Sequence, residues 1–264
     1  MGLDDRVITR AIIERYTEKL LSCLEIDVAV VGAGPAGIVA AHDLALAGRR
    51  VVVFERKLSI GGGMWGGGMM FNEIVVQADA KRILDAFGIR CREFAEGYYT
   101  ADSIECVTGL GHKAVQAGAT FLNLVTVEDV ALRDDRLTGI VINWTAVEMG
   151  GLHVDPLSVA TRYVIDCTGH DTDVVRMVEG RADRGGRPLL TPSGKIEGQG
   201  PLWADRAERT TIENTREVYP GLYVAGMSAN ATWGSFRMGP IFGGMLLSGE
   251  KVARLVAARL EECP

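Results

Sequence analysis

The sequence predicts an α/β protein built on a parallel sheet. Three observations carry this. An apolar run, DVAVV (27–31), ends in glycine. A segment with helical character follows, GAGPAGIVAAHDLALAG, and is closed by Gly48. A second apolar run, RVVVFE (50–55), comes directly after it. Short apolar runs bounded by glycine read as strands buried on both faces. Two of them joined by a helix form the β–α–β crossover that opens a parallel sheet.

The remaining elements follow in chain order. Residues 6–24 place Val7, Ile8, Ile12, Ile13, Tyr16, Leu20, Leu21 and Leu24 at helical spacing, which predicts an amphipathic N-terminal helix. Its apolar stripe has two possible partners, its own sheet or another subunit. GGGMWGGGMM (61–70) reads as a glycine-rich loop, and helices are predicted around 76–87 and 102–118. ATFLNLVT is a strand. LVTVEDVALRDDRLTGIVINW reads as a hairpin about the Asp134–Asp135 pair. ATRYVIDCTGH is a buried strand ending in a polar loop. Residues 181–218, polar and rich in turn formers, read as loop. LYVAGM (222–227) is a last core strand, and a helix from about 239 to 261 closes the chain. No repeat or linker interrupts this pattern, so residues 1–264 read as a single domain carrying insertions.

Composition limits the function. Hydrophobic residues make up 47% and charged residues 23%, as in an ordinary globular protein. Glycine is in excess, 33 of 264 residues against roughly 7% on average, and without a repeat. The excess therefore belongs to loops that need unusual backbone angles or close ligand approach. A net charge of -6 with no basic run argues against nucleic acid as a partner. No apolar stretch approaches the ~20 residues of a membrane span. The N-terminal MGLDDRVITR has neither a secretory signal core nor a myristoylation serine or threonine. Five widely spaced cysteines, Cys23, Cys91, Cys106, Cys167 and Cys263, contain no CxxC pair and suggest reduced thiols in a cytoplasmic enzyme.

Gly32-Ala33-Gly34-Pro35-Ala36-Gly37 is a GxGxxG motif between a predicted strand and a predicted helix, the context that gives it meaning. Gly32 permits the turn, Gly34 lets the backbone approach a pyrophosphate, and Gly37 lets helix pack on strand. The helix N-terminus offers free N–H groups and positive potential to phosphates. Glu55 ends the second strand, placed to accept hydrogen bonds from ribose hydroxyls. The order VVGAGPAG, acid-ended strand, GGG loop, VIDCTGH and LYVAGM resembles the two-dinucleotide-binding flavoproteins, and so implies a Rossmann-like fold of that type. One departure counts against a conventional flavin site: Met227 stands where those enzymes carry an acid after the late glycine.

Three further segments are GLHVDP (151–156), CTGHD (167–171) and WGSFRMGP (233–240). Taken with GGGMWGGG and RMGPIFGGM, they resemble the NAD-dependent thiazole synthase family over nearly the whole chain. The resemblance implies that NAD is consumed as a substrate. Nicotinamide leaves, the ADP-ribose sugar opens and isomerises to a ketone, and glycine condenses with it. Sulfur is then added and the ring closes to an adenylated thiazole carboxylate. It further implies an NAD site drawing on Ala36, Arg56, Gly63, Val127 and Met227 besides Gly32, Gly34, Gly37 and Glu55. Arg237 would bind the glycine carboxylate, and Asp155 and His170 would ligate Fe(II). The family divides by sulfur source, and one branch sacrifices a cysteine at the position of His153. Imidazole has no sulfur to give, so sulfide is expected from solution and the enzyme should turn over repeatedly. His153, Asp155 and His170 are the expected catalytic residues. If residues 153–155 lie on a strand, alternation puts His153 and Asp155 on one face. The resemblance also implies a homo-octamer whose metal ligands cross between chains.

The bland readings are that Cys167 is a buried, inert thiol, that Cys263 is a tail residue with no role, and that Arg237 is a solvated loop arginine. Met64, Met69 and Met70 are either packing filler or a substrate lid. The competing functions are a ribose 1,5-bisphosphate isomerase, an FAD-dependent oxidoreductase and an NAD-sensing module.

Overall fold

The computed structural model describes residues 2–182 and 186–262; Cys263 lies outside them. Helix α1 (Asp5–Ser22) is capped by Asp4, whose carboxylate accepts the Arg6 N–H at 2.9 Å. None of its residues is buried, and Val7, Ile8, Ile12, Ile13 and Tyr16 are exposed. Its own sheet therefore does not cover the apolar stripe.

The β–α–β unit consists of β1 (Glu25–Val31), α2 (Pro35–Leu46) and β2 (Val51–Glu55), with Val28 paired to Val51 in a parallel ladder. Nine of the twelve α2 residues are buried, the mark of a helix packed on several sides. A short 3-10 turn (Gly62–Gly66) precedes β3 (Glu73–Gln77), α3 (Ala78–Ala86), β4 (Arg92–Ala95) and β5 (Tyr98–Asp102). Next come α4 (Ser103–Gln116), β6 (Thr120–Asn123), β7 (Val125–Arg133), β8 (Arg136–Trp144), α5 (Thr145–Met149) and β9 (Leu157–Asp166). The chain continues through α6 (Asp173–Ala182), β10 (Gly200–Leu202), α7 (Ala204–Asn214), β11 (Arg216–Tyr219) and β12 (Leu222–Val224). It ends with α8 (Met227–Thr232), β13 (Phe236–Arg237) and α9 (Gly243–Glu262).

The main sheet runs β11-β12-β9-β1-β2-β6, parallel from β12 to β6 and antiparallel at β11. Strand β9 is long enough to serve two neighbours along one edge. Its first half pairs with β8 of the hairpin and its second half with β12. Residues of β1 alternate between two cores. Val28 and Val30 face α2, α4 and α9, while Ala29 and Val31 face the hairpin and α6. The hairpin turns as expected at Asp134 and Asp135, both at positive φ (49° and 54°), the backbone of a type I′ turn. No helix among the described residues is long and apolar enough to cross a membrane.

Two sequence-based expectations need correction. The helix expected at 76–87 begins at Ala78 behind a strand, and a three-stranded antiparallel sheet, β3-β5-β4, occupies ground with no strand predicted. Every residue of β4 is exposed, so it shows no alternation. Residues 181–218 are not all loop, since they hold β10, α7 and most of β11. Helix α7 buries only Ala207, Glu208 and Thr211, a face too small and polar to show helical periodicity.

The tightest packing lies at the first turn of α2. Gly32 adopts φ +97°, and a Cβ there would sit 2.5 Å from the Cys167 carbonyl oxygen. A Cβ on Gly37 would overlap the Gly32 carbonyl oxygen, whereas one on Gly34 meets nothing within 4 Å. The two glycines should therefore separate experimentally. Gly37→Ala should cost about 3 kcal/mol through overpacking against backbone, seen as a fall in Tm of roughly 10 °C. Gly34→Ala should leave the ligand-free Tm unchanged and weaken dinucleotide binding in calorimetry.

Glu208 lies against the start of α9, the helix that packs on α2. Its Oε2 accepts the Gly244 N–H at 2.7 Å at the start of α9. Its Oε1 and the Oε1 of Gln77 are both buried without a partner among the described residues. Burial raises the carboxyl from 4.5 to about 7, although the Gly244 N–H and the nearby Gln77 amide favour the charge. The folded state thus holds this proton more tightly than the unfolded chain. Its contribution is complete below pH 4.5 and is lost as pH rises through about 7, on the order of 3 kcal/mol in all. Glu208→Gln keeps an acceptor for Gly244 and cannot titrate. Melting from pH 5 to 8 should show wild type losing stability relative to this variant.

Candidate active site

The carboxyl ends of β1, β2, β9 and β12 open onto one cavity of about 520 Å³. In a doubly wound sheet this is where ligands bind. The glycine turn after β1 forms one wall with Gly32, Gly34 and Ala36. Glycines 62, 63 and 68 of the second glycine-rich loop form another, pinned by the Gly61 N–H donating to the Ala33 carbonyl at 2.7 Å. Of the loop methionines, Met64 is buried core while Met69 and Met70 are exposed. None of the three lines the cavity.

Glu55 borders the cavity and is 7% exposed. Its two oxygens accept the N–H groups of Ala33 and Lys57, both at 2.8 Å. The carboxylate thus braces the glycine turn, and each oxygen keeps a second lone pair for a ribose hydroxyl. Arg56 reaches across the site to Asp171 (3.0 Å) and Asp173 (3.3 Å), tying β2 to the loop after β9. Val127 and Met227 line the wall; Met227 opens α8 and is 6% exposed.

The loop after β9 is organised by Asp166, a fully buried acid. Its Oδ1 accepts from the Thr168 N–H, the Thr168 hydroxyl and the Ser228 hydroxyl at 2.9, 2.7 and 3.0 Å. Its Oδ2 accepts the N–H groups of Val174 and Val175 at 3.0 and 3.1 Å, capping α6. Ser228 Oγ in turn accepts the Gly169 N–H at 3.0 Å. Five donors on one carboxylate fix the backbone on both sides of His170. The imidazole lines the cavity, and its Nδ1 lies 2.7 Å from Gln199 Oε1. Arg237 also lines the cavity, is exposed, and makes no ion pair or side-chain hydrogen bond among the described residues, which leaves its guanidinium open to a ligand carboxylate.

Of the residues expected from sequence, Gly32, Gly34, Ala36, Glu55, Arg56, Gly63, Val127, Met227, His170 and Arg237 converge here. Gly37 lies behind the wall as a packing glycine. His153 and Asp155 are not on a strand. Residues 152–156 have no regular structure, because α5 ends before Gly150 and Gly151 and β9 begins only after Pro156. Both side chains are exposed, lie outside the cavity lining and make no hydrogen bond among the described residues. No group of three or more His, Cys, Asp or Glu side chains able to hold a metal exists among the described residues of one chain.

Sequence reasoning missed Asp166, Ser228 and Gln199. The one legible signal was an acid closing the apolar run YVID, where a carboxylate is buried and needs donors. The four described cysteines are free. Cys167 borders the cavity but is buried, and burial holds its thiol well above the ordinary range, as expected of an inert residue.

Residues 9–242 match the sequence model of the Thi4 family. The chain is 60% identical over 261 residues to a thiamine thiazole synthase of Desulfosudis oleivorans, covering 99% of this chain and 100% of that protein. It is 56% identical over 261 residues to a thiamine thiazole synthase of Methanothermobacter thermautotrophicus, with the same coverage. The fold is similar to the crystal structure of Thermovibrio ammonificans THI4, with a TM-score of 0.94 and 53% identity over 99% of this chain and 100% of that one. With its Rossmann-like site and these full-length relatives, the chain belongs to the Thi4 family of thiamine thiazole synthases, enzymes that build the thiazole moiety of thiamine.

Proposed function

We propose that this thiazole synthase converts NAD, glycine and sulfide from solution into the ADP-thiazole carboxylate, releases nicotinamide, uses Fe(II) and turns over repeatedly. The carrying observation is that the dinucleotide turn, Glu55 and an unpaired Arg237 open onto one cavity. The turn and the α2 N-terminus suit the pyrophosphate, Glu55 suits the adenosine ribose, and Arg237 suits the glycine carboxylate.

Two observations support external sulfur. The position used by the sacrificial branch is His153, and Cys167, bordering the cavity, is buried and protonated. A protonated thiol is a poor nucleophile and a poor donor.

Asp155 and His170 fit a ferrous site by chemistry. One offers an unpartnered carboxylate and the other an imidazole with only Nδ1 engaged. When bound, Fe(II) would supply open positions for sulfide and substrate. No group of three such ligands forms among the described residues of one chain, and Asp155 lies outside the cavity that His170 lines, so this reading draws ligands from neighbouring chains. The uncovered apolar stripe of α1 supports assembly, read here as an octamer in the cytoplasm. The names of the relatives favour neither a bisphosphate isomerase nor a flavin oxidoreductase.

With NAD, glycine, Fe(II) and sulfide under anaerobic conditions, wild type should make many thiazoles per chain and keep its mass. A single turnover with one cysteine losing the mass of hydrogen sulfide would sink the external-sulfur reading.

Asp155→Ala and His170→Ala should each bind NAD and make no thiazole. If the two donors come from different chains, co-expressing both variants in one assembly should restore activity in about a quarter of the sites. Restored activity near zero in verified mixed oligomers would place both donors on one chain or reject the pair.

A further inference from the structure

The main chain beside Gln199 has hydrogen bonds of its own. The flanking main chain is held by Gly198 N–H to the Ala231 carbonyl (3.0 Å) and Gly200 N–H to the Ser235 carbonyl (2.9 Å). The Gln199 side chain nevertheless leaves one polar atom stranded, since Nε2 is buried with no partner among the described residues. A buried amide nitrogen without a partner, on a half-buried side chain, calls for an explanation. The other end supplies it, because Oε1 lies 2.7 Å from Nδ1 of His170. With Oε1 turned to the ring the amide accepts, and a neutral imidazole then carries its proton on Nδ1, leaving Nε2 as the lone-pair nitrogen.

We propose that Gln199 is the positioning residue of His170, fixing its ring and its Nδ1–H tautomer so that Nε2 is presented as the lone-pair donor. Gln199 is anchored to the 231–235 segment that leads into Arg237, while the His170 loop is anchored by Asp166 and Ser228. The amide thus joins the two sides of the cavity at the imidazole. A free imidazole exchanges between tautomers, and a ligand or base must present one particular nitrogen. The tautomer assignment is independent of any metal; its consequence for iron rests on the reading of His170 as a ligand.

The test uses full-length protein labelled with 15N-histidine, free of metal, at pH 8. The chain has four histidines, and His170→Ala assigns the resonance. Wild-type His170 should be protonated on Nδ1. Gln199→Glu keeps an acceptor of the same reach and should keep that tautomer. Gln199→Met keeps the length without an acceptor and should shift His170 towards Nε2–H. Anaerobic equilibrium dialysis with Fe(II) alone should show about 10- to 100-fold weaker binding for Gln199→Met, with Gln199→Glu near wild type. Wild-type His170 protonated on Nε2, or a Gln199→Met tautomer equal to wild type, would overturn the proposal. A changed tautomer with unchanged Fe(II) binding would uphold the positioning role and reject His170 as a ligand. If Gln199→Met fails to fold, the wild-type and Gln199→Glu spectra decide alone.

Discussion

The structure depends on one close approach, where the first turn of α2 meets the carboxyl ends of β1 and β9. The Gly32 carbonyl, Gly37 and Cys167 are packed with no room for a Cβ on either glycine. The last helix closes on the same turn, for a Cβ on Gly249 would overlap the Ala36 carbonyl oxygen. Because α2 is drawn in this far, its first turn borders the cavity at the carboxyl ends of β1, β2, β9 and β12. Looser packing would leave the helix end further from the cavity, with less of its field acting there.

Around that junction, two buried carboxylates do different work. Asp166 takes five hydrogen bonds and holds the loop that carries His170. Glu55 takes two and holds the turn that faces a dinucleotide. Each lies at the end of a parallel strand, where the ladder stops and backbone N–H groups of the following loop need acceptors. Glu208, with only Gly244 as a firm donor, lacks such compensation, and burial raises its pKa.

The site is built unevenly within one chain. The dinucleotide turn, Glu55, Arg56, His170 and Arg237 share a cavity, but His153 and Asp155 stand on an exposed loop with no partners among the described residues. An unpaired exposed carboxylate costs little in water. It gains most where another charged group or ion is brought to it. The uncovered α1 stripe shows the same pattern in apolar form, with side chains suited to burial and nothing in their own chain to bury them.

Ala36, Arg56, Gly63, Val127, Met227, His170 and Arg237 were expected at the site only through the family resemblance, and they line the cavity. The sequence by itself determined the parallel sheet, the glycine turn with Gly32 and Gly34, Glu55 at its strand end and the hairpin at Asp134–Asp135. These features are local: a glycine that needs positive φ, an apolar run buried on both faces, an acid at a strand end. It did not show the exposed strand β4 or helix α7, whose buried face is small and polar, because periodicity reports only apolar burial. It left open whether residues 153–155 lie on a strand that would put His153 and Asp155 on one face; Pro156 with the preceding glycines denies a ladder there. The partners of Asp166 and the roles of Ser228 and Gln199 were decided by tertiary structure. Ser228 lies 62 residues from Asp166, and Gln199 lies 29 from His170. No spacing rule reaches that far, since only folding brings an amide or a hydroxyl to the atom it positions.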